Sequence, residues 1–68
     1  MMTITMGTTN RAITFKNRQT RRAKLIPAGQ KVRIRDTFAQ GNGYTLTTVF
    51  EGESYETNGL TAEAFTRD

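Results

Sequence analysis

The side chains best able to do chemistry in this sequence are its cations, and they are bunched. Residues 1–35 hold Arg11, Lys16, Arg18, Arg21, Arg22, Lys24, Lys31, Arg33 and Arg35, and no acid. Residues 36–68 hold Asp36, Glu51, Glu53, Glu56, Glu63 and Asp68 against one base, Arg67. Charge divided in this way between two halves points to a polyanionic partner. Arg18, Arg21, Arg22 and Lys24 fall in one short stretch. Lys31, Arg33 and Arg35 alternate with Val32 and Ile34, so on a strand they share one face in a row about 7 Å apart. If the two sets adjoin, they form a cationic groove that neutralises phosphates, and Tyr44 or Tyr55 could stack on a base. Arginine outnumbers lysine seven to three, which suits two-pronged contact with phosphate.

The same residues have plainer readings. Lys31, Arg33 and Arg35 could protect a sheet edge from unwanted pairing, or lie across from Glu51, Glu53 and Glu56 and cancel their field. Tyr44 and Tyr55 occupy alternating positions that suit a core.

Other chemistries find little support. The chain has no histidine and no cysteine, so it lacks the usual general base at neutral pH and the thiolate nucleophile. Ser54 is the only serine and has no base at a known motif spacing. Glu51, Glu53 and Glu56 match no calcium-loop pattern and read as a wet hairpin tip. Gly41-Asn42-Gly43 lacks the Lys-Ser/Thr ending of a phosphate loop. No enzyme, metal site or cofactor is expected.

The elements that must position these groups are mostly strands. At 68 residues the chain is one small domain, with a core that rarely yields more than about 3–5 kcal/mol. Threonine occurs thirteen times, mostly in alternating runs, which favours strands. Met2–Met6 and Arg11–Phe15 alternate and are expected to pair as a first hairpin. Residues 16–24 carry five cations and almost no apolar side chain, and are expected to form one long basic loop. Pro27-Ala28-Gly29 is a turn. Lys31–Asp36, Tyr44–Phe50 and Glu53–Thr57 follow as a three-strand meander. Val49 breaks the alternation of the second, which calls for a bulge near Thr47-Thr48. Glu51-Gly52 joins the second and third strands as a tight hairpin, and Asn58-Gly59 is a turn. Leu60–Phe65 is expected to close one end with a helical or 3₁₀ turn capped by Thr61.

This inventory of five strands, a meander at Lys31–Thr57 and a final Leu60–Phe65 turn resembles the SH3-like small β-barrels, the class that includes KOW-type modules. The expectation is therefore an all-β chain of residues 1–68, a five-stranded SH3-like barrel with a short closing 3₁₀ or helical turn near the C-terminus. Its expected role is non-enzymatic binding of nucleic acid through the phosphate backbone, with Arg18, Arg21, Arg22, Lys24, Lys31, Arg33, Arg35 and Tyr44 as the binding residues. The alternative is a protein-binding accessory or inhibitor subunit, of the kind mobile elements encode, or a homo-oligomer using its charge-polarised surface. Residues 1–10 have no basic start and no continuous apolar run, so no signal peptide or membrane span is expected, and a cytoplasmic protein is the default.

Overall fold

A computed structural model describes residues 5–68. Alternation of apolar and polar side chains sets most of its elements. They are β1 (Thr5–Thr9), β2 (Ile13–Asn17), β3 (Ala23–Ile26), β4 (Lys31–Asp36), β5 (Tyr44–Phe50), β6 (Glu53–Leu60) and β7 (Phe65–Arg67). Short 3₁₀ turns at Phe38–Gln40 and Ala62–Ala64 precede β5 and β7. The fold is all-β, but with seven strands rather than five. One sheet in the order β3-β2-β6-β5-β4-β1-β7 curls into a half-barrel. All its neighbours are antiparallel.

The inner face carries the core. Ile13 and Phe15 of β2, Ile26 of β3, Val32 and Ile34 of β4, Leu46 of β5, Tyr55 of β6 and Ala64 with Phe65 are all buried. Buried hydroxyls are paired rather than left dry. The Thr48 hydroxyl donates to the Lys31 carbonyl at 2.6 Å and accepts from Gln30 Nε2 at 2.8 Å. No buried side-chain polar atom lacks a partner among the described residues, as small cores require.

Three local expectations are corrected. First, β1 does not pair with β2. It pairs with β4 (Thr5↔Ile34) and with β7 (Thr9↔Phe65). The strand also sits later than expected, and residues 2–4 of the expected Met2–Met6 strand lie outside the described residues. Asn10 supplies the reason. Its backbone N–H donates to the Ala64 carbonyl and its side-chain amide to the Glu63 carbonyl, while its Oδ1 accepts from the Thr66 hydroxyl. These bonds fasten the end of β1 to the last segment of the chain, which thereby becomes a strand.

Second, the basic stretch 16–24 is not one loop. Lys16 and Asn17 finish β2, and Ala23 and Lys24 start β3. The buried Asn17 makes this possible. Its Oδ1 accepts the N–H groups of Gln19 and Thr20 at 2.8 and 3.0 Å, and its own N–H donates to the Arg22 carbonyl. Such a local side-chain bond mimics a backbone turn, so the chain reverses without apolar residues.

Third, β5 has no bulge at Thr47-Thr48, since Thr47↔Glu56 and Thr48↔Tyr55 are in regular register. Val49 breaks the alternation because it points outward and is 65% exposed. The irregularity lies instead between the pairs Tyr44↔Leu60 and Leu46↔Thr57, where β6 has one residue more than β5. Asn58-Gly59 therefore lies inside β6 rather than after it. The turn Ala62–Ala64 forms as expected, but Thr61 makes no side-chain cap bond.

At the β5–β6 hairpin, Phe50 pairs with Glu53, and both central residues have positive φ, 53° at Glu51 and 80° at Gly52. This is the type I′ pattern, which favours Asn-Gly. Glu51→Asn is expected to raise stability by about 0.5 kcal/mol, read as a higher urea midpoint with unchanged slope. The exposed Lys24–Glu51 pair lost in that variant contributes little.

Candidate phosphate-binding face

Register across the sheet decides which cations meet. Directly opposed residues in an antiparallel pair share a face. One outward row runs Lys16, Glu56, Thr47, Arg33, Met6 across β2, β6, β5, β4 and β1. Arg18 continues β2, its N–H donating to the Ser54 carbonyl. It joins Ser54, Val49, Thr47, Lys31 and Arg33 around one shallow trough of about 380 Å³. A second trough, of about 570 Å³, is bordered by Lys16, Arg18, Arg21 and Glu56. Arg35 lies on the same outward side of β4 as Arg33, opposite Thr45. Lys16, Arg18, Arg21, Lys31, Arg33 and Arg35 thus stand on one outer face.

Little cancels that charge. Among the described residues, ion pairs within 4.0 Å join only Lys24 to Glu51, at 3.3 Å, and Lys31 to Asp68. Lys16 faces Glu56 in register without reaching it. Lys31 is the member of the outer set that is already engaged. Arg18, Arg21, Arg33 and Arg35 are exposed and have no carboxylate in ion-pair range.

Three expected site residues are placed elsewhere. Lys24 opposes Phe15 on the inner side of the sheet. Its ammonium sits 5.7 Å from the centre of the Phe50 ring and pairs with Glu51. The Arg22 carbonyl accepts from the N–H of Asn17, another inward residue, and Arg22 lines a rim beside Lys24 and Glu53. Tyr44 is no stacking platform. It is half-buried and packed edge-on between Phe38 and Phe65, with ring centres at 4.8 and 5.2 Å. Its hydroxyl accepts from Arg67 at 3.1 Å, and that guanidinium lies over the Tyr44 ring. Tyr55, 4% exposed, is a core residue.

Sequence reasoning missed Lys16 as a member of the face. The signal was present: Lys16 alternates with Phe15 as Arg33 does with Ile34. It was absorbed into the expected loop. On another part of the surface, the Thr61 hydroxyl, a backbone hydrogen bond and nearby Arg11 hold the Glu63 carboxyl below its usual range.

No group of three or more metal-ligating side chains occurs among the described residues, and no described helix is long and apolar enough to cross a membrane. The arrangement can hold an extended anion by charge and by guanidinium hydrogen bonds. Comparison of the chain with protein-family models, with curated proteins and with solved structures finds no match.

Proposed function

We propose that this chain is a small non-enzymatic binding module that takes up the phosphate backbone of nucleic acid on the outer face of its sheet. The observation that carries the reading is the gathering of Lys16, Arg18, Arg21, Arg33 and Arg35 on that face, outside ion-pair range of any described carboxylate. The planar guanidinium fork of arginine loses less entropy per hydrogen bond to an anion than a lysine ammonium does. A cytoplasmic setting suits this partner. The architecture supports the SH3-like description in one respect. With the β2–β3 hairpin set aside as an insertion, β1, β4, β5 and β6 form a four-strand meander, and β7, after a 3₁₀ turn, returns to pair with β1.

The test is fluorescence anisotropy of labelled nucleic acid across a salt series. Arg33→Ala with Arg35→Ala removes two phosphate contacts, which lowers the log–log salt slope by about 2 and weakens binding about thirtyfold near physiological salt. Arg11→Ala, beside Glu63, leaves the slope within error. Absence of binding at low salt, or a slope unmoved by the double variant, overturns the reading.

A second reading rests on the free edge of β3. Leu25 on that strand is 63% exposed, and an edge strand with an apolar side chain can pair with a second copy or with a partner protein. Light scattering distinguishes it: a dimer lost in Leu25→Lys favours association over nucleic-acid binding.

A further inference from the structure

We infer that the anion is double-stranded DNA, gripped by both of its backbones at once, with the outward side chains of the β5–β6 ribbon turned to its major groove. This rests on the phosphate reading above and adds the class of nucleic acid.

The outer cations form two columns rather than one patch. Lys16, Arg18 and Arg21 follow β2 and its tip, and Arg33 and Arg35 follow β4. Between them lie two strands, β6 and β5. Three strand spacings separate the columns by about 14 Å along the sheet. The strip between them carries no cation. Its outward residues are Ser54, Glu56, Thr47 and Val49. A single backbone laid along that strip would bring its phosphates against the Glu56 carboxylate. Two backbones, one over each column, avoid Glu56 and meet all five free cations.

That spacing fits a duplex groove. The major groove of B-form DNA is about 12 Å wide and admits a two-stranded β-ribbon. The major groove of A-form RNA is too deep and narrow for side chains to read. The curl of the sheet puts the core on the inside, so the outer face is convex across the strands. The trough over the ribbon, bordered by Arg18, Ser54, Val49, Thr47 and Arg33, is shallow, so the long cations on the strands beside the ribbon extend past it to the flanking phosphates.

Two further facts point the same way. Single strands are held by a basic groove together with stacking on exposed aromatic rings. Among the described residues the outward positions of the strands named above carry no aromatic ring, since Tyr55 is buried, Tyr44 is packed between two phenylalanines, and the exposed Phe38 lies in the 3₁₀ turn beyond β4. The strip's own chemistry also suits base edges. A carboxylate accepts from the cytosine amino group, hydroxyls serve any base, and an apolar side chain meets the thymine methyl. Val49, exposed on the ribbon among polar neighbours, has no packing role that explains it.

The full chain is titrated at one salt concentration against a short duplex DNA, a duplex RNA of the same sequence, and one DNA strand alone. Duplex DNA is expected to bind about tenfold tighter or more, because a single strand reaches one column. On duplex DNA, Lys16→Ala/Arg18→Ala and Arg33→Ala/Arg35→Ala each lower the salt slope by about 2, and the four together by about 4. Glu56→Gln alters the ranking of duplexes that differ in G·C content; an unchanged ranking counts against the major-groove placement. If the single strand or the duplex RNA binds as tightly as duplex DNA, the inference falls and the phosphate reading stands. If none of the three binds, both fall. Circular dichroism of each variant confirms that the loss is not unfolding.

Discussion

Phe15→Ala is expected to leave little folded protein at room temperature. Phe15 is 1% exposed and among the largest fully buried side chains of the core. Truncating a buried phenylalanine to alanine costs about 3–5 kcal/mol, part in lost burial and part in the cavity left behind. A core in a chain of this size yields about 3–5 kcal/mol in all, so the variant loses most or all of its margin. The core has little means of repair, since its neighbours are held by strand register rather than by movable helices. The measurement is the near-ultraviolet circular dichroism and amide dispersion of the variant beside the parent. Phe15→Leu, which keeps most of the volume, is expected to remain folded with a loss of about 1.5 kcal/mol. A folded, cooperative Phe15→Ala protein would show that the stability comes from elsewhere.

The second large effect is expected at Gly7. Gly7 is buried in β1 at its crossing with β4 and β7. A Cβ placed there would lie 2.6 Å from Ile34 Cδ1 and 2.6 Å from the Thr66 carbonyl oxygen. The isoleucine tip can rotate away, but the carbonyl cannot move without disturbing the β1–β7 pairing. Gly7→Ala is therefore expected to cost about 3 kcal/mol and to release β7 before the rest of the sheet. Hydrogen exchange reads this as lost protection at Asp68, whose N–H donates to the Met6 carbonyl, at a time when β5 and β6 remain protected. Adding Ile34→Val should not restore the loss. If it does, the side chain rather than the backbone is the obstacle.

Some of this fold is legible in short stretches of sequence. Val32 and Ile34 alternate with three cations, and β4 runs Lys31–Asp36 as that pattern requires. Glu51-Gly52 between alternating runs marks its own hairpin. What could not be read locally depends on distant partners. The pairing of β1 with β7 rests on Asn10 meeting Glu63, Ala64 and Thr66, more than fifty residues away. Polar side chains that replace apolar ones in structural roles also mislead. Asn17 turns the chain by accepting two backbone N–H groups, so a basic stretch without apolar residues still makes a hairpin. Val49 misleads in the opposite sense, an apolar side chain left in solvent. For the candidate site, the row Lys31, Arg33, Arg35 was evident, whereas the separation of Arg22 and Lys24 from Arg18 and Arg21 required knowing which face each residue takes in the β2–β3 ladder.

The antiparallel pairing of β1 with β7 bears on how the molecule answers mechanical load. The start of β1 and residue 68 lie at the same end of that pair, where Asp68 bonds to Met6. Tension applied through these two points pulls perpendicular to the strands and opens their hydrogen bonds in succession rather than shearing them together. In an optical trap the domain should therefore peel apart at low force, starting from its last strand. A tether moved to the β2–β3 tip would load several ladders at once and meet greater resistance.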